Sequence, residues 1–408
     1  MKILNFGSCN IDFVYSIDHI VNPGETERTS TLNIFPGGKG LNQSIAVARA
    51  GAKVYHAGCI GTDGEMLKQL LEDNGVDVTY LKSVDAKNGH AIIQVSSEGE
   101  NSIFLYPGSN EMITTEYIDT VLEGFEAGDI IILQNEISNV KYIIERAYEK
   151  NMCIIFNPSP MNERISEIDF NMISYVLVNT GEAKEISSCE TAEESIAFFR
   201  ERFPELKVVI TLGKKGCMYI DKDNELYQSS FNVKVVDTTG AGDTFTGYFV
   251  AELAAGNSYA EILKLASAAS SIAVSRNGAA PSIPDMAEVK STLKYIKANK
   301  DNGKNEILLE RIDTYVQQNI KDANLADLAS ILGYSSVYTG NLVKNVTGLT
   351  FSKLLQCKRC EIAADKLLTT DMSVEEIIES IGYENESFFR KIFKERYGAN
   401  PLEYRKRK

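Results

Sequence analysis

The stretch that most constrains the fold is the run Asp237-Thr238-Thr239-Gly240-Ala241-Gly242-Asp243. Val233 to Val236, just before it, form a β-type run. After it, apolar residues recur at helical spacing, at Phe245, Phe249, Val250 and Leu253. We therefore expect a strand, a glycine turn and a helix that begins near Ala241.

The glycines of this turn predict an anion-binding site. Gly240 and Gly242 lack a Cβ, so the backbone amides can point outward at a helix N-terminus, where anions bind. Asp243 lies in the first turn of the same helix. A base beside a phosphate site is what phosphoryl transfer to a sugar hydroxyl needs. The alternative is a surface helix with acidic first-turn residues that stabilise its dipole.

Length and composition limit the number of domains and the class of protein. A chain of 408 residues with 44% apolar content favours two domains with sizeable cores. It contains no run of eighteen apolar residues and no signal-like start, so we expect a cytoplasmic protein without a membrane segment. The seven cysteines are scattered and do not suggest disulfides. Cys357 and Cys360 fall in a helical pattern without a nearby His, which favours helix packing over metal or redox use.

The net charge of −14 is unevenly placed. Residues 1–304 hold 27 Lys and Arg against 41 Asp and Glu, whereas residues 305–408 hold 15 of each and end in Arg405-Lys406-Arg407-Lys408. This distribution fits an acidic body joined to a tail that can approach polyanions.

Two segments near the start carry candidate binding residues. Asn10 and Asp12 follow a first strand at Ile3 to Gly7, where open α/β sheets place ligands, although an Asp there is also a common turn residue. The turn Pro36-Gly37-Gly38-Lys39-Gly40 opens a helix, and Lys39 and Asn42 could bind hydroxyl groups. Its spacing is not that of a P-loop.

The strand patterns predict two separate sheets. The alternating run 27–35 and a hairpin at 90–95 and 102–106 predict a small exposed sheet. From Asp129, continuous apolar strands (130–133, 153–156, 175–178 and 208–210) alternate with helices. This pattern predicts a doubly wound α/β fold with a mostly parallel sheet covered on both faces. Polar residues at its strand ends, Glu136, Asn179 with Glu182, and Thr211 to Gly216, would meet at one edge.

Residues 1 to about 295 resemble the ribokinase family of carbohydrate kinases, the PfkB group. The motifs that carry the resemblance occur in order: G-S-C-N-I-D, P-G-G-K-G-L-N-Q, E-G-E-N-S-I…P-G-S-N, L-Q-N-E-I-S, N-T-G-E, T-L-G-K-K-G, D-T-T-G-A-G-D-T-F and R-N-G-A-A-P-S-I-P. The small sheet would then be a lid, about residues 23–36 and 89–107, that also pairs two subunits in a homodimer.

The resemblance also implies the site residues. The sugar, a pentose with ribose as the first choice and deoxyribose as an alternative, would be held by Asn10, Asp12, Gly38, Lys39, Asn42 and Glu136. Asp243 would be the catalytic base, and the amides of Gly240, Ala241 and Gly242 would stabilise the transferring phosphoryl group. Asn179 and Glu182 would organise Mg²⁺ and phosphate through water, and ATP would be bordered by Thr211, Gly213, Gly216, Gly242 and Ser267. A K⁺ ion would be bound at Asp237, Thr239, Ala273, Arg276, Gly278 and Ser282.

The tail is helical and internally repeated. After a last helix of the kinase domain (287–299; domain 1–298) and a polar linker (299–306), residues 307–408 contain two similar segments, 325–336 and 374–385. Each is an amphipathic helix followed by a Gly-Tyr turn and a second helix that ends at Gly348 or Gly398. This predicts two helix-turn-helix units in an all-α domain.

The tail resembles the AraC family of transcription regulators in Gly348 to Phe351, Lys358 to Leu368, Phe389 to Lys394 and Gly398 to Arg405. The resemblance implies that it binds double-stranded DNA, with base contacts from Val337, Gly340, Asn341, Glu386, Arg390 and Lys391 and phosphate contacts from Lys344 and Lys394. Gly340 is unfavourable inside a helix, and Asn341 stands where the family usually has Arg. The first helix-turn-helix unit is therefore expected to contribute less to DNA recognition than the second.

Three hypotheses remain. The first is an ATP-dependent sugar kinase whose DNA-binding domain regulates sugar-use genes. The second is a sugar-sensing regulator with little or no kinase turnover. The third is an active kinase whose helical tail does not bind DNA.

Overall fold

The computed structural model describes residues 1–98, 100–294, 302–370, 372–383 and 385–406. Some predicted segments lie outside these residues: the end of the predicted last kinase helix (295–299), the start of the predicted linker (299–301), and Gly99, Glu384, Arg407 and Lys408. The chain divides into two compact units, Met1–Lys300 and Asp301–Lys408. Within the described residues, no helix is both long and apolar enough to cross a bilayer.

The first unit alternates strands and helices. Its elements in chain order are β1 (Ile3–Phe6), β2 (Asn10–Ile17), β3 (Thr31–Gly37), α1 (Lys39–Arg49), β4 (Val54–Ile60), α2 (Glu65–Asp73), β5 (Asp77–Ser83), β6 (Gly89–Ser96), β7 (Asn101–Tyr106), α3 (Thr115–Leu122), β8 (Ile130–Gln134), α4 (Val140–Glu149), β9 (Cys153–Asn157), β10 (Tyr175–Asn179), α5 (Thr180–Ser187), α6 (Ala192–Arg202), β11 (Lys207–Thr211), β12 (Cys217–Ile220), β13 (Glu225–Gln228), α7 (Ala241–Ala254), α8 (Tyr259–Ala273) and α9 (Met286–Thr292).

The main sheet has nine strands in the order β13-β12-β11-β10-β9-β8-β1-β4-β5. Its strands run parallel from β11 to β5, and the hairpin β12–β13 adds an antiparallel edge. Ile3, Ile130 and Leu177 pack into one core with α1, α7 and α8, and the alternating residues Leu4 and Ile131 are equally buried. Burial on both faces explains the continuous apolar strands and confirms the predicted mostly parallel α/β sheet.

Helices α1 and α7 approach each other closely at Gly247. A Cβ at Gly247 would lie 2.3 Å from the Cβ of Ala46 and 2.8 Å from the backbone nitrogen of Val47. Only glycine permits this contact, which brings the first turns of the two helices together.

The small sheet has four strands in the order β3-β2-β6-β7. The predicted hairpin is present as β6–β7, but the predicted lid did not include β2. Asn10 and Asp12 therefore lie within a strand of this sheet, rather than in a loop after β1. The reason is that β2 finds partners on both sides, β3 antiparallel and β6 parallel.

The predicted strand at Val233 to Val236 is wrong. The backbone amides of Val236 and Asp237 donate to the carbonyl of Val274 at the end of α8, at 2.8 and 3.2 Å, instead of joining a sheet. Both Val235 and Val236 are 49% exposed. The helix after the glycine turn begins at Ala241, as predicted.

The second unit is entirely helical in its described residues. Its helices are α10 (Asn302–Gln318), α11 (Leu325–Leu332), α12 (Ser336–Thr347), α13 (Phe351–Thr369), α14 (Val374–Ser380), α15 (Glu386–Tyr397) and α16 (Pro401–Arg405). Because α10 begins at Asn302, the second half of the predicted linker is helical. Polar composition alone does not distinguish a linker from the first turns of a helix.

The two predicted helix-turn-helix units are α11–α12 and α14–α15. Gly333 and Gly382, with φ of 71° and 80°, provide the left-handed residue at each turn. Each unit has its own hydrophobic cluster, one around Val316 and Val343 and the other around Phe389. The long helix α13 contributes to both clusters, and its Cys360 is packed in the second, as predicted for helix packing.

Candidate functional site

Asp243 lies in the first turn of α7, at the wall of a cleft of ≈ 300 Å³. Gly240 caps the helix with φ of 72°, and a Cβ there would lie 2.9 Å from the Cβ of Ala279. The glycine is therefore required both by its backbone conformation and by this close approach. Asp243 is only 7% exposed, and its exposed part faces the cleft.

Two backbone amides beside Asp243 are free to bind an anion. Within the described part of the chain, the amides of Gly240 and Gly242 donate to no other group. The predicted third amide, that of Ala241, instead donates to the carbonyl of Thr238 at 3.2 Å, because the turn closes on itself. A Cβ at Gly242 would meet nothing within 4 Å, and this residue lines the cleft.

The Asp243 carboxylate is held by two side-chain amides from α1. Asn42 Nδ2 donates to Oδ2 and Gln43 Nε2 donates to Oδ1, each at 3.0 Å. Asn42 Oδ1 is buried without a hydrogen-bond partner among the described residues. Sequence reasoning missed Gln43, although it stands next to Asn42 in the glycine-rich helix start.

The other predicted sugar residues cluster around Glu136, which follows β8. Glu136 Oε2 accepts hydrogen bonds from Ser8 Oγ and, at 2.9 Å, from the backbone amide of Lys39. Gly38, with φ of 95°, fits against the backbones of Ser8 and Asn10, where a Cβ would lie 3.0 and 2.9 Å away.

A second cavity, of ≈ 270 Å³, is lined by Asn10 and Glu136 among others. Asn110 Nδ2 donates to Asn10 Oδ1 at 2.7 Å and thereby orients it. Ser8 and Asn110 were not predicted as site residues, although both fall inside the family motifs.

The charges at this end of the site influence one another. Burial, with the nearby Glu136, raises the pKa of Asp12 to about 6. Burial likewise raises the pKa of Glu136, although Lys39 and the hydrogen bonds to its carboxylate oppose this. Burial would lower the pKa of Lys39, but Asp243, Glu136 and Glu182 outweigh it and raise that pKa. Lys39 therefore stays a cation between three carboxylates.

The predicted nucleotide residues line the Asp243 cleft and an adjoining one. Asn179 and Glu182 form a capping box at the start of α5, in which each side chain accepts from the other's backbone amide at 2.9 Å, and both line the Asp243 cleft. The remaining set lines the adjoining cleft of ≈ 150 Å³: Thr211, Gly213, Gly216, Gly242 and Ser267. Thr211 and Gly242 belong to both clefts and join them.

The predicted cation residues lie on two loops that meet at Asp237. Its Oδ1 accepts from Thr239 (amide 2.9 Å, hydroxyl 2.7 Å) and its Oδ2 from the amide of Gly278 at 2.9 Å. Burial would raise the pKa of Asp237, but these hydrogen bonds lower it below its ordinary value.

The other three predicted cation residues offer mainly backbone oxygens. The Ala273 carbonyl accepts from the amide of Arg276 at 3.0 Å, and Ser282 Oγ donates to the carbonyl of Ala279 at 2.7 Å. The guanidinium of Arg276 pairs with Glu288 and, being a cation without an acceptor, cannot bind K⁺, so only the carbonyl of Arg276 could do so.

The predicted DNA-contacting residues lie on α12 and α15. On α12, Val337 is 79% exposed, Asn341 and Lys344 are exposed, and Gly340 is half-buried. On α15, three of the predicted residues are exposed: Glu386, Lys391 and Lys394.

Arg390 is half-buried and paired. Its Nη2 lies 2.7 Å from Glu375 Oε1 and 3.5 Å from Glu386 Oε2. Its charge is thus balanced within its own helix-turn-helix unit.

Comparison with known proteins gives the same division of the chain. Residues 1–286 match the pfkB family carbohydrate kinase model, and residues 328–407 match a helix-turn-helix domain model. The ribokinase of Haemophilus influenzae is 34% identical over 299 residues, which cover 71% of this chain and 97% of that protein.

Two solved structures are similar as well. The ribokinase of Cryptococcus neoformans var. grubii serotype A in complex with ADP is 34% identical with a TM-score of 0.64, covering 71% of this chain and 99% of that one. The Arabidopsis thaliana ribokinase complexed with ribose and ATP is 29% identical with a TM-score of 0.64, covering 72% and 99%. The chain has a carboxylate and free amides at one glycine turn, and it shares its fold with these kinases over their full length. It therefore belongs to the pfkB family of carbohydrate kinases and carries a helix-turn-helix domain C-terminal to the kinase domain in sequence.

Proposed function

We propose that the first domain, residues 1–298, transfers the γ-phosphoryl group of ATP to the primary hydroxyl of a pentose, converting D-ribose to D-ribose 5-phosphate. The observation that carries this proposal is the common cleft of the Asp243 carboxylate and the free amides of Gly240 and Gly242. The choice of ribose is supported by the two ribokinase relatives and by the solved relative that contains ribose and ATP.

In the proposed reaction, Asp243 accepts the proton of the primary hydroxyl as the hydroxyl oxygen attacks the γ-phosphorus. The amides of Gly240 and Gly242 donate to the equatorial oxygens of the phosphoryl group, where negative charge is spread in the transition state. The other sugar hydroxyls are held by the remaining predicted residues: Asn10, Asp12, Gly38, Lys39, Asn42 and Glu136. General-base help of this kind is typically worth about 10²–10⁴ in rate.

Two cations fit the oxygen donors at the site. Mg²⁺ would be held with the phosphates near Asn179 and Glu182, and it would neutralise phosphate charge. Glu182 Oε1 accepts no hydrogen bond among the described residues and is thus available. K⁺ would be bound by the oxygen-rich loops around Asp237, together with Thr239, Ala273, Arg276, Gly278 and Ser282. Carboxylate, hydroxyl and carbonyl oxygens of this kind are the hard donors that K⁺ requires.

The test is an ADP-release assay with ribose, deoxyribose and other pentoses, with and without K⁺. We expect turnover with ribose, activation by K⁺ and loss of most turnover in Asp243→Asn with the fold intact. No turnover with any sugar would favour the alternative of a sugar sensor. Near-parental turnover of Asp243→Asn would show that the base is assigned wrongly.

We infer that the second domain, residues 307–408, binds double-stranded DNA through α12 and α15. The inference is supported by the two helix-turn-helix units, whose second helices expose Val337, Asn341, Lys391 and Lys394. We test it by a mobility shift on the DNA upstream of the protein's own coding region, titrated with salt, with and without ribose. Absence of specific binding at low salt would favour a tail that serves assembly only.

We also propose that the small sheet pairs two subunits. Its edge strands expose several large apolar side chains, including Leu32, Ile34, Ile103 and Phe104 at 47–57%. A cluster of this kind is typical of a protein interface. Light scattering should give a dimer, and Ile34→Lys combined with Phe104→Lys should give a monomer. A parental protein that stays monomeric at high concentration would contradict the proposal.

A further inference from the structure

A chain of buried side-chain amides connects the backbone of α1 with Asp243. Asn5 Nδ2 donates to the carbonyl of Gly40 at 2.8 Å. Gln134 Nε2 donates to Asn5 Oδ1 at 2.9 Å and to Gln43 Oε1 at 2.8 Å. Gln43 Nε2 then donates to Asp243 Oδ1 at 3.0 Å. The three amide residues come from β1, β8 and α1, and none is more than 1% exposed.

The starting point of this chain fixes its direction. The carbonyl of Gly40 can only accept, so the nitrogen of Asn5 must face it and the oxygen of Asn5 must face Gln134. Gln134 must then donate through its side-chain nitrogen, which also donates to the side-chain oxygen of Gln43. Because the oxygen of Gln43 faces Gln134, the nitrogen of Gln43 faces Asp243. The ionised carboxylate of Asp243 can likewise only accept, so both ends of the chain impose the same direction.

Unpaired oxygens show how strongly this direction is imposed. Gln134 Oε1 and Asn42 Oδ1 are both buried without a hydrogen-bond partner among the described residues. In both side chains the nitrogen is committed to the network around Asp243, and the oxygen is left over. A Cβ at Gly7 would lie 2.3 Å from Gln134 Oε1, so the glutamine is also confined sterically. Buried polar atoms are rarely left unpaired.

We propose that Gln43 is a positioning residue for phosphoryl transfer. It occupies Oδ1 of Asp243 and holds the carboxylate in one orientation, so that Oδ2, on the side of Asn42, receives the proton of the sugar hydroxyl. This inference rests on the proposed function, in which Asp243 is the base. The titratable groups near Asp243 are Lys39 of α1 and Glu136 after β8, and Glu182 of α5 lines the same cleft.

The decisive variant is Gln43→Glu, which keeps the shape of the side chain and removes the donor. Two carboxylates at hydrogen-bond distance share one proton and titrate as a pair. The base would then be occupied at neutral pH. We expect kcat at pH 7 to fall by about 10²-fold and to recover as pH rises, with the KM for ribose and ATP within about threefold. Gln43→Met, which can neither donate nor accept, should lower kcat by about tenfold, as is common when a residue that orients a functional side chain is removed, without moving the pH profile.

A matched control exists on the surface of the same unit. Gln69 Nε2 donates to Asp73 Oδ1 at 2.9 Å on α2, so it repeats the glutamine–aspartate contact far from the cleft. Gln69→Glu and Gln69→Met should leave kcat and its pH profile at the parental values. Thermal unfolding of each variant verifies that it is folded.

The outcomes separate this inference from the proposed function. If Asp243→Asn is inactive but Gln43→Glu keeps the parental kcat and pH profile, Gln43 does not position the base and only this inference fails. If Asp243→Asn stays active, the proposed function fails. If Gln43→Glu does not fold, Gln43→Met decides, since a parental kcat in that variant would overturn the inference.

Discussion

Gly247→Ala should disable the kinase from a position outside the cleft. The added Cβ would lie 2.3 Å from the Cβ of Ala46, whereas apolar carbons pack at roughly 3.5–4.0 Å. Helices α1 and α7 must therefore separate by about 1.2 Å or more. The hydrogen bonds of Asn42 and Gln43 to Asp243, now 3.0 Å each, would lengthen to about 4 Å, beyond hydrogen-bond range.

The magnitude follows from this displacement. Overpacking a close helix contact costs about 1–3 kcal/mol of the free energy of unfolding. A misplacement of about 1 Å at a reacting group can lower the rate by about 10²-fold. We expect Gly247→Ala to show both effects, with the larger part of the kinetic loss in kcat, because Asn10 and Glu136, two of the proposed sugar ligands, do not lie on α1 or α7.

Steady-state ADP release and thermal unfolding measure these effects. The control is Gly340→Ala, another glycine inside a helix, where the Cβ would lie 3.4 Å from Leu325 Cδ2. It should stabilise α12 by up to about 1 kcal/mol and leave the kinase rate unchanged. Parental kcat and parental unfolding temperature in Gly247→Ala would refute the reasoning, because the close contact would then have no effect on the base.

Three further predictions concern single side chains. Gly242→Ala should fold normally, since its Cβ meets no protein atom within 4 Å, but should lower kcat by about 10²-fold because the methyl group enters the proposed phosphate-binding cleft; an unchanged kcat in ADP-release assays would contradict it. The KM for ribose should rise as pH falls through about 6, because Asp12 then gains a proton. The free energy of unfolding should fall as pH rises through the same value, because the raised pKa means that folding favours the protonated form of Asp12. Both dependences should be absent in Asp12→Asn. Lys394→Ala should weaken DNA binding evenly across sequences and reduce the slope of log K against log salt by about 1, whereas a change of sequence preference would mean a base contact.

The sequence was sufficient where local pattern decides the structure. The four consecutive apolar residues Ile130 to Leu133 and the helical spacing after Gly242 predict a covered parallel strand and the start of α7, which are present as β8 and α7. The repeat of residues 325–336 and 374–385 likewise predicts both helix-turn-helix units. In each case the residues that form the element also carry the pattern that reveals it.

The sequence was insufficient where a distant partner decides the structure. Val233 to Val236 have strand residues but no strand to pair with, since their neighbour is the end of α8. Conversely, Asn10 and Asp12 join a strand because β3 and β6 lie beside them. The contact of Gln43 with Asp243 spans 200 residues, and no spacing along the chain records it.

The position of Asn10 and Asp12 on β2 has a consequence for ligand exchange. Because β2 is a central strand of the small sheet, any movement of that sheet away from the rest of the domain would also move Asn10 and Asp12, the proposed sugar-binding residues. Entry and exit of the sugar are then mechanically tied to the movement of the sheet, and shortening or replacing it would remove part of the pocket itself. If the same sheet also forms the contact between subunits, sugar binding in one subunit would change the sugar affinity of the other. We would then expect sigmoidal or biphasic saturation curves for the sugar rather than hyperbolic ones.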